Sequence, residues 1–497
     1  MQSQLAEFIE KGDNVNIFNF LSSPNLADEQ VPVELLAAIL LIDTADSNLL
    51  DLTCKLILQA LANTGYASVH SMYLDLILRG LEAASPQVLA LVLNILEKCV
   101  DSKKKIELVL QTPQITEKVI SLVSLNDSGV EALALVASHA SHLIAKLAYQ
   151  PENLELLLQY SSAFSKLLDS KSEIVRFRTY SMFADIAAVS PQHVAALDAH
   201  HYLNFMVGIP SNDLLAALNA IDLYTNFAQT ESGLALLQAK GIMQHMYTLL
   251  VSSVEESGEL VICACIKFWG LVMFYQPHQI NCLFTQFSVF SGMEMQLQEA
   301  SSTVRDQVLV SVSNIGSSTQ GLASLIEQET LLQKVLSVGK YSSGESRTGF
   351  YITVANLIDH PASSDIDLEQ ATLDIFESIS TSDAVTDLMT NAKSALPDLC
   401  IAAYSVILAA VRYDWCLKKI CTNKGFAQFL LEKHPKTPRA VLQIKHQIAT
   451  RICSREGREI IVDNNGEAKW IDAFVRNVEQ GAFAASNQAP VVATQSM

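Results

Sequence analysis

Residues 213–228 read DLLAALNAIDLYTNFA. Within them Leu214, Leu215, Leu218, Ile221, Leu223 and Phe227 spread apolar side chains over a broad face of a 3.6-residue helix. A face that wide needs neighbours on two sides, as in a stacked layer of helices. The stretch has counterparts at 173–187 (EIVRFRTYSMFADIA), 258–273 (GELVICACIKFWGLVM), 303–316 (TVRDQVLVSVSNIG), 345–358 (ESRTGFYITVANLI) and 396–412 (LPDLCIAAYSVILAAVR). Their starts lie about 40–45 residues apart, with a longer gap before the last. Ser211-Asn212-Asp213 and Ser301-Ser302-Thr303 read as N-caps, whose side-chain oxygens accept the first free N–H groups. Pro210 and Pro361 fit helix boundaries.

Further apolar runs follow two of these helices, at 234–237 and 242–251 and again at 322–326 and 331–338. A period of about 40–47 residues with two or three helices is that of HEAT or armadillo repeats. The sequence therefore predicts an all-α fold, a HEAT/armadillo-like α-solenoid. With 497 residues the chain exceeds one compact core, but a solenoid escapes that limit because each repeat packs only on its neighbours. About ten degenerate repeats would fill residues 1–480, with those of the first 160 residues less regular. A tail from Gly481 to Met497 carries no charged side chain and is expected to be mobile. Residues 359–366 (DHPASSDI) read as a connector, and 459–464 (EIIVDN) come nearest to a strand. Helix layers about 10 Å apart would make the array on the order of 100 Å long, with a concave surface large enough for a folded domain.

Half the residues are hydrophobic and 17% are charged, which argues against disorder. A net charge of −19 disfavours general nucleic-acid binding, which needs a basic footprint. The most apolar stretches are Val31–Ile42, Val261–Tyr275 and Leu399–Val411. The first and third fall short of the ~20 residues that span a bilayer, and Lys267 interrupts the second. All three read as buried repeat helices rather than membrane segments. The first residues, with Glu7, Glu10 and Lys11, do not read as a signal peptide. Nine scattered cysteines fit a reducing compartment, so a cytoplasmic location is expected, with the nucleus also open.

Catalytic signatures are missing. There is no GxxxxGK[ST] loop, no GxSxG elbow and no HExxH pair. His139 and His142 share a helix face without a third ligand nearby. Cys263 and Cys265 diverge by about 200° on a helix, and Cys416 and Cys421 read as core. The expectation is a non-enzymatic chain with no metal or cofactor. Phe268, Trp269, Phe274 and Tyr275 form a dense aromatic group that fills the core or anchors an interface.

Residues 418–458 hold ten bases, among them Lys418, Lys419, Lys424, Lys436, Arg439 and Lys445, against the acids Glu432 and Glu456. They form either a solvated end cap on the last repeat or a basic patch for an acidic partner. If the second helix of each repeat lines the concave side, His201, Tyr202, Gln244, Tyr247 and Gln333 approach the groove.

The stretch 396–452 (LPDLCIAAYSVILAAVRYDWCLKKICTNKGFAQFLLEKHPKTPRAVLQIKHQIATRI) resembles the C-terminal region of the proteasome non-ATPase regulatory subunit five family. Gly425-Phe426, Phe429-Leu430-Leu431 and Lys445–Ala449 follow that family's order, and 308–316 (VLVSVSNIG) with Gly321 resembles one of its repeats. The tail EQGAFAASNQAPVVATQS (479–496) is similar to its closing segment. The resemblance implies a solenoid that acts as a dedicated chaperone in assembly of the proteasome regulatory particle. Such a chaperone cradles the C-terminal domain of one AAA ATPase subunit of the base, delays docking on the proteolytic core, and is absent from the finished particle. The chain is expected to be a monomer on its own, with a protein partner and no nucleic-acid or membrane ligand. The alternative is a general armadillo-type scaffold or transport adaptor. Three tryptophans and no repeated Trp–Asn pair count against that peptide groove.

Overall fold

A computed structural model describes residues 2–22, 32–40, 46–64, 73–100, 103–125, 131–204, 213–299, 301–328, 330–361, 366–423, 425–432, 438–454, 457–460 and 468–483. Among these residues every regular element is helical. The chain parts into two compact units, 1–207 with 232–236, and 208–231 with 237–497.

The first unit is built on four long helices, α1 (Ser47–Thr64), α2 (Pro86–Cys99), α3 (Glu131–Leu147) and α4 (Glu173–Ala187), each packed on the next. The second continues the pattern with α5 (Leu214–Phe227), α6 (Glu259–Tyr275), α7 (Ser302–Gly316), α8 (Gly344–Ile358), α9 (Pro397–Ala410), α10 (Arg439–Ile452) and α11 (Ala468–Gln480), again neighbour on neighbour. Shorter helices fill the intervals, as Thr319–Glu327 and Thr330–Lys340 do between α7 and α8. Each unit is thus a run of α-solenoid with the period read from the sequence.

The sequence explains the layering. In α6, Val261, Ile262, Cys265, Ile266, Phe268, Trp269, Val272 and Met273 are all buried, because the helix is packed on both sides. Gly258 sits at φ 83°, which lets the chain reverse from Val254–Ser257 into α6. Asp213 accepts the Ala216 N–H (3.1 Å) and Ser301 accepts the Val304 N–H (3.4 Å), as the cap reading expects. Small residues let α6 and α7 approach closely. A Cβ on Gly270 would stand 2.6 Å from Ser311 Cβ, and Ser311 Oγ donates to the Ile266 carbonyl at 3.0 Å.

The last carbonyls of a helix lack intrahelical partners. Here a side chain one repeat later supplies them. His193 Nε2 donates to the Ala148 carbonyl (2.8 Å), while its Nδ1 accepts from Ser190 Oγ (2.7 Å). Gln276 Nε2 donates to Gln229 O (2.7 Å), His360 Nε2 to Gly316 O (2.8 Å) and Tyr413 Oη to Ile358 O (2.9 Å). Burial holds His360 below the usual imidazole range, so the ring is a neutral donor at neutral pH.

Among the described residues no single helix is long and apolar enough to cross a membrane. The strand-like stretch begins as helix, at 457–460, and its residues 461–464 lie outside the described residues. So do 362–365 of the expected connector and most of the tail, 484–497.

Candidate partner-binding surface

In the second unit, positions one repeat apart stand side by side on the outward face of the long helices. Ser301 Oγ donates to Glu259 Oε1 (2.6 Å), Ser346 Oγ to Asp306 Oδ2 (3.3 Å), Lys267 Nζ to Asp222 Oδ1 (3.1 Å) and Asn356 Nδ2 to Ser313 Oγ (2.8 Å). The middle of this face is aliphatic. Val310 on α7 and Ile352 on α8 are each 47% exposed, and Leu271 on α6 and Ile401 on α9 are half-buried. The N-terminal turns form an acidic rim, with Glu259, Glu345 and Asp398 in first turns and Asp306 in the second turn of α7. The hydrogen bond from Ser301 holds the Glu259 carboxyl below the ordinary range, so it is ionised at neutral pH.

The first unit presents a different row. Its outward positions include Ser138, His142 and Lys146 on α3 and Ser181 on α4. Glu97 on α2 lies between His139 Nε2 (2.9 Å) and Lys146 Nζ (3.5 Å). His139 is therefore engaged with a carboxylate. Among the described residues no three His, Cys, Asp or Glu side chains are grouped to hold a metal. Burial pushes the Cys265 thiol up to about 12, so it is not poised as a nucleophile.

The residues expected at a groove fall in several places. His201 occupies the left-handed region (φ 62°) just after helix Pro191–Ala199. The following N–H groups close the helix end, His201 N onto Asp198 O (2.9 Å) and Tyr202 N onto Leu197 O (3.0 Å). Tyr202 itself is a core residue rather than a groove residue, with its ring stacked on Phe183 (5.0 Å). Gln244 and Tyr247 lie on the short helix Ile242–Leu250, and Gln333 on Thr330–Lys340. Gln244 and Gln333 are exposed, and Tyr247 is half-buried with its ring 5.7 Å from Phe287. The aromatic group divides: Phe268 and Trp269 are fully buried, whereas Phe274 and Tyr275 are about two-fifths exposed, at 42% and 41%.

Among the described residues the bases of the basic segment lie in different settings. Lys445 is buried, donates to the Phe429 (3.3 Å) and Glu432 (2.6 Å) carbonyls, and lies over the Tyr404 ring (5.4 Å). It closes helix Phe426–Leu431 instead of facing a partner. Lys419 pairs with Glu377 of the preceding repeat at 2.6 Å. Lys418 and Arg439 are exposed, while Lys424 and Lys436 lie outside the described residues.

Sequence reading missed Arg347. Its side chain is buried, donates to the carbonyls of Gly339 (2.9 Å), Lys340 (3.1 Å) and Ile379 (3.1 Å), and pairs with Asp387 at 2.5 Å. Tyr351 Oη also donates to Asp387 (2.7 Å). The 40-residue spacing of Arg347 and Asp387, about one repeat, was the available signal.

The family described as Proteasome non-ATPase 26S subunit matches residues 17–495. The 26S proteasome non-ATPase regulatory subunit 5 of Bos taurus is 22% identical over 390 residues, covering 76% of this chain and 75% of its own. That of Drosophila melanogaster is 22% identical over 419 residues, 80% of this chain and 78% of its own. That of Homo sapiens is 21% identical over 391 residues, 76% and 75% respectively. A crystal structure of an engineered protein aligns over 81% of this chain and 97% of its own, at 15% identity and a TM-score of 0.42.

Proposed function

This chain belongs to the Proteasome non-ATPase 26S subunit family, and from that premise we propose that it is a chaperone for assembly of the proteasome regulatory particle base. It holds the C-terminal domain of one ATPase subunit and delays its docking on the core particle. The observation that carries the reading is the family match over nearly the whole chain, residues 17–495.

The physical chemistry supports a holding role. A preformed face of packed helices binds a folded domain without a large ordering cost. A few exposed side chains then dominate the affinity, and the remainder of the face excludes water. Occupying one surface of the ATPase domain blocks its other contacts sterically, with no bond made or broken, so the role is non-enzymatic. Release follows from competition by later subunits. The chain works as a monomer in the cytoplasm or nucleus.

The test is affinity purification from cell extract with mass spectrometry of the bound proteins. Stoichiometric proteasomal ATPase with few core-particle subunits is the expected result. A mixture of unrelated cargoes without a proteasomal ATPase would overturn it and leave a general scaffold or transport adaptor.

A further inference from the structure

The aliphatic positions Leu271, Val310, Ile352 and Ile401 come from four consecutive long helices, α6 to α9, and run obliquely across them. Side chains of this kind offer no hydrogen-bonding group. A strand laid on them would leave backbone N–H and C=O groups unpaired, whereas a helix satisfies its own. Neighbouring helices lie about 10 Å apart, which is the rise of about seven residues along a helix. One apolar side chain in every seven of a crossing helix would therefore meet one position per repeat.

The rim decides the charge of that helix. Asp398 lies one turn from Ile401, Asp306 one turn from Val310, and Glu345 two turns from Ile352. None of these three carboxylates forms an ion pair with another described residue. The Asn356 amide, which could have served an extended backbone, already donates to Ser313 Oγ (2.8 Å).

We propose that this line is the seat for a single amphipathic helix of a protein partner, with aliphatic residues at heptad spacing and lysine or arginine along the flank that meets Asp306, Glu345 and Asp398 in the N-terminal turns of α7 to α9. The seat deepens the holding role and rests on it for the biological partner, but its chemistry can be tried without an ATPase.

The probe is a fluorescent helical peptide of three heptads with leucine at every seventh position and lysines on one flank, titrated into the full chain. A twin peptide carries glutamates on that flank. The lysine peptide is expected to bind and to weaken as salt rises. Ile352→Asp and Val310→Asp should each weaken it about tenfold or more, equivalent to about 1.4 kcal/mol. Both side chains are half exposed, so thermal melting should be unchanged. Glu345→Lys with Asp398→Lys should weaken the lysine peptide and strengthen the glutamate twin. Leu135→Asp, on the outward row of the first unit, should alter nothing. Failure of the lysine peptide to bind, equal binding of the twins, or binding untouched by Ile352→Asp would each overturn the seat. ATPase capture from extract reads out separately: its absence would overturn the assembly role and leave a peptide-binding seat intact.

Discussion

The two units seal the same kind of helix layer with different chemistry. In the first, the seam between α2 and α3 runs through ionisable groups. Glu97 contacts His139 and Lys146 there, and Arg178 on α4 reaches the end of the short helix Pro113–Leu122, donating to the Val123 and Leu125 carbonyls, both at 2.9 Å. In the second, α6, α7 and α8 meet through hydroxyls, amides and glycine: Ser311 onto Ile266 O, Thr353 onto Leu309 O (3.1 Å), Asn356 onto Ser313 and Gly316 against Leu357. The outward faces follow from the seams. Where long charged side chains reach across the seam, their heads occupy the face. Where short neutral groups close it, the face is left to aliphatics such as Val310 and Ile352. One repeat pattern can therefore present a charged row or a greasy one without changing its backbone.

Arg347 is the exception that tests this contrast most severely. Arg347→Met removes the buried donor to three carbonyls and leaves Asp387 without its cation. The expected loss is about 3–5 kcal/mol in denaturant unfolding of the second unit. A loss below about 1 kcal/mol would show that the neutral seam stands without this buried ion pair. Next in size is Gly316→Val. Even a Cβ there would come 2.2 Å from Leu357 Cδ2, so overpacking should cost about 1–3 kcal/mol. An unchanged midpoint would mean that the α7–α8 seam is looser than its geometry implies.

In the first unit the sign reverses at Asn153. Its side chain is fully buried, and neither amide atom has a hydrogen-bond partner among the described residues. Asn153→Leu should raise stability by about 1 kcal/mol, read as a higher melting temperature. A drop would mean that the amide is satisfied in solution.

The smallest effect is pH dependence. The hydrogen bond from His139, with Lys146 close by, holds the Glu97 carboxyl below the ordinary glutamate range. A lowered folded-state value gives stability that is present above the unfolded value, about 4.3, and is lost as pH falls through the folded one. The pair is partly exposed, so the contribution is about 1 kcal/mol or less. Glu97→Gln should flatten the acid limb of the first unit's unfolding curve and leave the second unit unchanged. An equal change in both would erase the distinction between their seams.

The long helices were legible because a helix packed on two sides must be apolar nearly all round, and such stretches recur. Asp213 and Ser301 were legible because cap chemistry is local. The surface was not. Tyr202 is turned into the core by the left-handed conformation of His201, and nothing in His-His-Tyr announces that. Lys445 looked like one more exposed base. It is buried because a helix ending at Leu431 and the rings of Tyr404 and Phe429 converge on it. Arg347 found its partner a whole repeat away. Each of these depends on neighbours that local pattern does not encode, and a slip of one position turns a helical side chain by about 100°.

The side chains that finish the helix ends of the preceding repeat also set an order of events during synthesis. His193, Gln276, His360 and Tyr413 are made 44–55 residues after the carbonyls they donate to, at Ala148, Gln229, Gly316 and Ile358. At roughly 5–20 residues per second, a nascent helix waits several seconds for the group that completes it. The growing edge on the ribosome is thus always one repeat behind the peptide bond being formed, and each newly emerged segment closes the one before it.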